Sequence, residues 1–450
     1  MQHLTTALAA LAVILGSAQA ADYPTPKPAQ DTSQYGRHFQ RTMTRMATST
    51  PQQRHTVRLL FYGQSIVGHG WHKMVVEDLQ RRFPHTDFVV ANKALGGFGS
   101  HFLVRTLYYD VIPFYPDLMV FHVYGPVDKY EELIREIRSR TTAEIIMQSD
   151  HAHVWPEGTR DSPTPFADIA QRYGCSWQPQ RWEWVDYLRD NQLEPADLLR
   201  DEVHLNEHGR WLMAELLKRY MVYLPDEPQD EWQDTVRTYQ VGQDIHWQDG
   251  KLSLTFTGNR VVALAAPGSG ETASVRIDGE EPSAHPECTT FTRPSGTPTI
   301  GWPAIKKITW RQPPLLESWE ATCRDFNEDH TEFTFSVEGS QTGFDGTGKA
   351  SETFVSHSGR IVIEPEDWVF DYDRHVGKKP APDGFKVRWQ VELLGTDTYT
   401  APEVTDPARE YPTVLASGLE NTRHALELIA TGGAPPALKA LVVYRPPVGR

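Results

Sequence analysis

Residues 59–65 read LLFYGQS, an apolar run that ends in a serine. A short apolar run that stops at a glycine is typical of a buried strand. Similar runs alternate with amphipathic segments from residue 57 to about residue 224. Such alternation predicts a parallel sheet that helices cover on both faces. Ligands of these sheets lie beyond the carboxyl ends of the strands, which is where Ser65 falls.

The α/β region is predicted to span residues 55–224. Its expected strands are residues 57–62, 88–91, 118–123 and 145–147. Its expected helices are residues 71–83, 98–109, 130–140, 166–173, 184–191 and 207–220.

The pattern changes after Pro225, where short alternating segments are separated by Gly, Pro, Asp and Asn turns. These segments predict strands at residues 252–256, 274–279, 332–337, 360–363, 386–393, 425–429 and 441–444. Residues 225–450 are therefore expected to form an all-β sandwich of the jelly-roll kind. The length of this segment fits one sandwich with an insertion at about 285–400, or two small β domains.

The N-terminus has the pattern of a secretory signal over residues 1–20. Residues 8–15 are apolar, and Ala18-Gln19-Ala20 is a small-x-small cleavage site. Residues 21–54, which begin rich in Pro, Thr, Ser and Gln, are expected to be a leader or wrapping arm. No later stretch approaches the ~20 apolar residues of a membrane span. We expect an exported protein, periplasmic or extracellular, that is not held in a membrane.

The charge argues against nucleic acid as a partner, and the cysteine content limits the possible disulfides and metal sites. The formal net charge is −15, from 44 Lys and Arg against 59 Asp and Glu, and no basic run argues for nucleic acid. Of the three cysteines, Cys288 and Cys323 are the natural disulfide pair, which leaves Cys175 as a lone buried thiol. The sequence contains no Cys-x-x-Cys motif, so a structural zinc site is not expected. The oligomeric state stays open.

Asp201 and His204 are the strongest chemical signal, in the run Asp-Glu-Val-His that precedes a predicted helix. A serine hydroxyl needs an imidazole as general base and a carboxylate that fixes the imidazole tautomer. An Asp-x-x-His pair on one loop can face a serine at the end of a strand. Ser65, His204 and Asp201 are therefore predicted to form a catalytic triad, although Ser65 could instead cap a helix and His204 could be an ordinary surface residue.

These motifs resemble those of the SGNH/GDSL hydrolases over about residues 55–222. The matching blocks are Gly63-Gln64-Ser65, the run NKALGG at residues 92–97 and the run DEVHLN at residues 201–206. The resemblance implies a flavodoxin-like α/β/α fold and needs no cofactor. It implies an oxyanion hole formed by the backbone N–H groups of Ser65 and Gly97.

The third block of the family departs from its pattern here. The chain reads YGPVD at residues 124–128, so Val127 stands where the family has an oxyanion-binding asparagine. Loss of one such donor can cost about 10² to 10³ in rate. Candidate substitutes are His122 and the segment after the next strand, which contains Asp150 and His151.

Several residues allow a second interpretation. Asp150, His151 and His153 have a spacing that metal ligands use, but a polar rim is more common and no metal is predicted. Asp128 fits a helix N-cap better than a catalytic role. The tryptophans could line a sugar-stacking cleft or lie in the core: Trp155, Trp177, Trp182 and Trp184.

The β half is similar to the jelly-roll, carbohydrate-binding-like modules that accompany such enzymes. Its cues are runs at residues 256–261, 275–279 and 418–426. Together the halves imply an esterase that removes acetyl or similar acyl groups from a polysaccharide or oligosaccharide. The alternatives are a glycoside hydrolase that uses a pair from Asp128, Asp150 and Asp201, and a non-catalytic glycan-binding protein.

Overall fold

The computed structural model describes residues 23–449 except residues 30, 161, 163, 228–231, 269 and 300. The predicted signal at residues 1–20 lies outside the described residues. Within the described part of the chain, no helix is both long enough and apolar enough to cross a membrane.

The first half is a five-stranded parallel sheet between two layers of helices. The elements are α1 (Gln40–Ala47), β1 (Thr56–Gly63), α2 (Trp71–Arg82), β2 (Asp87–Asn92), α3 (Ser100–Asp110), β3 (Leu118–His122), α4 (Val127–Arg140), β4 (Glu144–Gln148), α5 (Pro165–Arg172), β5 (Ser176–Gln178), α6 (Gln180–Asp190) and α7 (Glu207–Tyr220). The strand order is β2-β1-β3-β4-β5. This is the flavodoxin-like order, so the fold that the SGNH/GDSL resemblance implies is confirmed.

Apolar side chains cover both faces of the sheet because neighbouring strand residues point to opposite sides. Leu59 and Phe61 of β1 pack in a core with residues of α1, α2, α6 and α7. Leu60 and Tyr62 pack in a second core with residues of α3, α4 and α5. The polar groups at the strand ends are thereby held on a rigid base.

The arm before β1 contains a helix that the sequence did not predict. Phe39, Met43 and Met46 are buried in the first core, at a spacing that puts all three on one side of α1. The carboxylate of Glu144 accepts hydrogen bonds from the backbone N–H groups of Arg41 and Thr42 at 3.2 and 2.8 Å. Residues 39–46 are thus packed into the α/β half.

The strands of the second half pair antiparallel and form two larger sheets, in agreement with the all-β prediction. Its elements are β6 (Val236–Gln240), β7 (Lys251–Ala265), β8 (Thr272–Ile277), β9 (Thr289–Phe291), β10 (Ser318–Arg324), β11 (Thr334–Gly339), β12 (Gly343–Lys349), β13 (Phe354–Val355), β14 (Val362–Ile363), α8 (Phe370–His375), β15 (Phe385–Leu393), β16 (Thr398–Thr400), β17 (Pro412–Ala430) and β18 (Leu438–Tyr444). The sheets have the orders β16-β8-β17-β7-β18-β6 and β12-β11-β10-β15-β9, beside the pair β13-β14.

The five-stranded sheet comes from a continuous segment, residues 289–393, that we call the insert. The strands of the six-stranded sheet lie before and after it in the chain. Each sheet has its own apolar core, and Tyr109 of α3 belongs to the core of the insert. The insert is therefore packed against the α/β half as well as against its own strands.

The predicted Cys288–Cys323 disulfide is wrong. Cys288 lies in the core of the six-stranded sheet, whereas Cys323 lies on β10 in the core of the insert. Both thiols are free and buried, and so is Cys175, as predicted for it. Burial raises the pKa of Cys175 to about 11 and that of Cys288 to about 12. Because the two thiols lie in different cores, they could form a disulfide only if one of the sheets moved.

Candidate active site

Ser65 lies at the carboxyl edge of the parallel sheet, two residues beyond the end of β1. Gly63, the last residue of β1, has a φ of +148°, and a Cβ there would overlap the carbonyl oxygen of His122 on β3. Only glycine allows this close approach of the two strands. The chain then turns out of the sheet and leaves Ser65 half-buried between the loops that follow β1 and β2.

His204 and Asp201 lie on a short loop before α7, residues 199–206, that we call the histidine loop. The imidazole Nε2 lies 3.0 Å from the Oγ of Ser65, and Nδ1 lies 2.9 Å from a carboxylate oxygen of Asp201. Asn206 closes the loop, because its side chain accepts a hydrogen bond from the N–H of Gly209 in the first turn of α7. The three side chains form one hydrogen-bonded chain from hydroxyl to carboxylate.

The carboxylate of Asp201 is held by its own loop. It accepts hydrogen bonds from the backbone N–H groups of His204 at 2.8 Å and Val203 at 3.0 Å. These two bonds, with that from the imidazole, lower the pKa of Asp201 well below its usual range. The ionised carboxylate can therefore keep the Nδ1 proton in place and leave Nε2 free to accept a proton from Ser65.

A second histidine, His69, lies beside His204 with a ring-centroid distance of 5.1 Å. Burial, with the nearby charges of Arg200 and His204, lowers the pKa of His69 to about 4. A neutral His69 adds no positive charge that would oppose protonation of His204. No sequence pattern indicates this contact, because an isolated histidine in a short helix has many ordinary roles.

The loop after β2, residues 93–99, lies on the other side of Ser65, and we call it the glycine loop. The N–H of Leu95 donates to the carbonyl of Gly63 at 2.9 Å. A Cβ placed on Gly96 would lie 3.7 Å from the Cβ of Ser65. Among the described residues, the N–H groups of Ser65 and Gly97 have no hydrogen-bond partner. Ser65 and the adjacent glycine loop thus have two unpaired backbone donors, the kind of group that an oxyanion hole uses.

Three side chains bind the carbonyl groups of the glycine loop. The indole Nε1 of Trp302 donates to the carbonyl of Gly96 at 2.8 Å. The hydroxyls of Tyr372 and Tyr124 donate to the carbonyl of Gly97 at 2.8 and 3.2 Å. Trp302 and Tyr372 belong to the insert, and the sequence did not predict their role.

Val127, at the position of the family's asparagine, is the first residue of α4, and 39% of it is exposed. Its side chain has no polar atom. Asp128 follows in the first turn, whereas the residue at the N-cap position is Pro126, so the N-cap prediction for Asp128 is wrong. The helix begins at residue 127, three residues earlier than predicted. The prediction took the first apolar residue of the periodic pattern as the start, whereas the first turn of a helix can consist of exposed residues. An acidic residue in that turn still interacts favourably with the helix dipole.

His122, one suggested substitute donor, is completely buried. Its Nδ1 lies 3.3 Å from the side-chain nitrogen of Gln180, and its Nε2 lies 3.8 Å from Asp150. Burial lowers the pKa of His122 to about 4. No hydrogen bond joins it to Ser65 in the described structure, and its burial keeps it from a bound substrate.

Asp150 and His151, the other suggested substitutes, also have partners of their own. A carboxylate oxygen of Asp150 lies 3.5 Å from the guanidinium of Arg181, and burial raises the pKa of Asp150. The Nε2 of His151 donates to the carbonyl of Val203 at 2.8 Å, and burial lowers the pKa of His151 to about 3. His151 therefore holds the histidine loop through the Val203 carbonyl.

A cleft opens at the carboxyl ends of β3, β4 and β5, on the same edge of the sheet as Ser65. Its lining includes Tyr124, Asp150, Trp177, Arg181 and Trp182. The other two tryptophans of the predicted set lie elsewhere. Trp184 is completely buried in the core, while Trp155 is 41% exposed and donates to Glu194 at 2.7 Å. Among the described residues, no group of three or more His, Cys, Asp or Glu side chains could hold a metal ion.

Several solved esterase structures align with this chain. A two-domain esterase (CEX) active on acetylated mannans aligns at 12% identity over 92% of this chain and 97% of its own, with a TM-score of 0.37. Axe2, an acetylxylan esterase from Geobacillus stearothermophilus, aligns at 20% identity over 38% of this chain and 97% of its own, with a TM-score of 0.32. No protein-family model matches the sequence, and no curated protein matches it significantly.

Proposed function

We propose that this protein is a serine esterase of the SGNH type that removes acetyl or similar small acyl groups from a polysaccharide or oligosaccharide. The observation that carries the proposal is the hydrogen-bonded chain from Ser65 through His204 to Asp201. Such a chain activates a hydroxyl that would otherwise be a weak nucleophile at neutral pH.

In the proposed reaction the Oγ of Ser65 attacks the ester carbonyl while Nε2 of His204 takes the hydroxyl proton. The carbonyl oxygen becomes an oxyanion that accepts hydrogen bonds from the N–H groups of Ser65 and Gly97. The tetrahedral intermediate collapses, the bond to the sugar oxygen breaks, and His204 gives its proton to that oxygen. Water then attacks the acyl-enzyme with His204 as base, which releases the acid and restores Ser65. Asp201 stays ionised throughout.

The glycan part of the proposal is supported by the cleft at the carboxyl ends of β3, β4 and β5, the edge of the sheet where Ser65 also lies. Trp177 and Trp182 give it aromatic surface, and Asp150 and Arg181 give it hydrogen-bonding groups. Aromatic faces with a few polar groups suit a sugar ring, which has apolar faces and a polar edge. Export is proposed from the pattern of residues 1–20 alone.

Hydrolysis of an aryl acetate by the purified protein and by its Ser65→Ala form tests the proposal. We expect turnover by the first and, within the blank rate, none by the second. Acetate release from acetylated xylan and mannan would then define the glycan. Equal activity of the two forms would contradict the proposal.

The same two proteins, tested for release of reducing sugars and for glycan retention, separate the alternatives. A glycoside hydrolase would release reducing sugars with Ser65→Ala as well, and Asp150 is its best acid because burial raises the pKa of that carboxyl. A binding protein would retain glycan without turnover in either form. Asp201 is a poor general acid for the glycosidase, because its pKa is lowered.

A further inference from the structure

The direction of the Gly97 N–H depends on a residue of the insert. A peptide unit is planar and trans, so its carbonyl and its N–H point in opposite directions. The Gly96 carbonyl and the Gly97 N–H belong to the same peptide unit. The indole of Trp302, which donates to that carbonyl at 2.8 Å, therefore fixes the direction in which the N–H points.

The next peptide unit is held from the same side. Tyr372 donates to the Gly97 carbonyl at 2.8 Å, and burial raises the pKa of its phenol, which keeps the donor protonated in alkaline solution. Gly97 has a φ of +79°, and a Cβ there would lie 2.5 Å from the Tyr372 hydroxyl. The loop conformation and the position of Tyr372 thus require each other.

Trp302 and Tyr372 are themselves held in place. Their rings lie 4.9 Å apart, and Phe98 of the glycine loop lies 5.7 Å from Trp302. Trp302 is only 6% exposed, so its indole has little freedom to leave the Gly96 carbonyl. The donors are pre-organised by packing before any substrate binds.

Ion pairs attach the insert to α3, the helix that begins directly after the glycine loop. Arg105 pairs with Asp367 of the insert, and Arg293 of the insert pairs with Asp110. The side chains of Asp367 and Asp110 are 2% and 1% exposed, so each carboxylate would be costly to bury without its arginine. The insert is therefore fixed to the middle and to the carboxyl end of α3.

We propose that Trp302, with Tyr372, is a positioning residue that aims the Gly97 N–H at the oxyanion, so that the insert is part of the catalytic unit. This inference rests on the proposed esterase function. The site lacks the family's asparagine donor at Val127, so a larger share of the oxyanion stabilisation falls on the Gly97 N–H. Misplacing such a group by about 1 Å can cost ~10² in rate. The two hydrogen bonds from the insert, which hold the peptide units on either side of Gly97, should therefore have a large effect on the rate.

Trp302→Phe, in the full-length protein, tests the inference against the matched control Trp319→Phe. Trp319 is a buried tryptophan of the insert, 2% exposed, whose indole N–H has no partner among the described residues. Both changes shrink a buried ring, but only the first removes a hydrogen bond from the glycine loop. We expect Trp302→Phe to lower kcat for an aryl acetate by about tenfold or more, with KM nearly unchanged. Trp319→Phe should stay within about twofold of the parent protein.

A boronic acid provides a readout that loss of stability does not change. Boron bonded to Ser65 becomes tetrahedral and places an oxygen in the oxyanion hole, so its affinity reports the Gly97 N–H. In Trp302→Phe that affinity should fall by about the same factor as kcat/KM. If Trp302→Phe does not fold, Tyr372→Phe, which removes one hydroxyl, decides by the same criteria with a smaller expected loss.

The outcomes distinguish this inference from the function on which it rests. If the parent protein shows no Ser65-dependent turnover, the proposed function is wrong and the inference falls with it. If turnover depends on Ser65 but Trp302→Phe and Tyr372→Phe match Trp319→Phe in kcat and in boronic acid affinity, only the positioning role is overturned.

Discussion

The two sides of Ser65 are built in different ways. On the proton-transfer side, Asp201 is bound by residues two and three positions further along its own loop. On the oxyanion side, two of the three donors to the Gly96 and Gly97 carbonyls come from residues 206 and 275 positions away, and the third, Tyr124, is 27 positions away. Short-range bonds let a loop define its own geometry, whereas the glycine loop depends on how two halves of the chain pack. The first side should therefore tolerate changes in the β half that the second does not.

The largest effect is expected on the proton-transfer side. His204→Ala removes the imidazole that lies 3.0 Å from Ser65 Oγ, within the distance of general-base catalysis, and it should lower kcat for an aryl acetate by a factor on the order of 10⁴ or more. Initial rates of purified variants would measure this. A loss of less than tenfold would mean that the 3.0 Å contact is not the one used in catalysis.

Asp201→Asn should have the next largest effect. The amide still fits the loop, but it presents an N–H₂ group that favours the wrong tautomer of His204, so we expect a loss of about 10² to 10⁴ in kcat. The thermal midpoint should change little, because 47% of the Asp201 side chain is exposed. A variant that kept near-full activity would show that Asp201 does not orient the imidazole.

Gly97→Ala breaks the oxyanion side. An added Cβ strains a residue with a φ of +79° and meets the Tyr372 hydroxyl, so the Gly97 N–H is displaced. We expect kcat to fall by about 10² with a much smaller change in KM. Gly242→Ala is the matched control, because Gly242 has a φ of +86° and its added Cβ would have no atom within 4 Å. Equal kcat values for the two variants would contradict the account of the glycine loop.

His151→Gln should give a smaller effect, on stability in acid. The folded-state pKa of His151 is about 3, below the value of 6.5 for a free side chain, so the unfolded chain binds a proton first as pH falls. Stability should therefore be lost progressively from about pH 6.5 down to about pH 3. Glutamine keeps a donor for the Val203 carbonyl but does not titrate. Urea unfolding at pH 7 and pH 5 should show a smaller loss for the variant, and an equal loss would contradict this origin.

The smallest effect is expected from a reductant. Since the three thiols are free and buried, dithiothreitol should leave the thermal midpoint unchanged. Titration of the denatured protein should find three reactive thiols without prior reduction. Fewer than three reactive thiols would mean that two of the cysteines form a disulfide, which would contradict their placement in separate cores.

The sequence predicted features whose causes are local. The alternation around LLFYGQS predicted β1 and its neighbours, and the DEVHLN run placed Asp201 and His204 together. It did not predict β5, because Ser176–Gln178 is three residues long and has no periodicity. It did not predict α1, because the apolar residues there lie in a polar segment.

The features that the sequence could not predict are tertiary. Nothing near Trp302 or Tyr372 indicates that either residue reaches the glycine loop, because the contact arises from the packing of the insert on α3. The Cys288–Cys323 pairing was wrong for a related reason, since the sequence did not reveal that the two residues lie in separate cores.

The most direct test of the central claim is covalent labelling of Ser65. The protein would be treated with an aryl phosphonate ester, followed by intact-mass measurement and peptide mapping. We predict one adduct per chain, on Ser65, formed much more slowly in His204→Ala and absent in Ser65→Ala. Labelling that is absent in the parent protein, or that persists in Ser65→Ala, would contradict the assignment of Ser65 as the nucleophile.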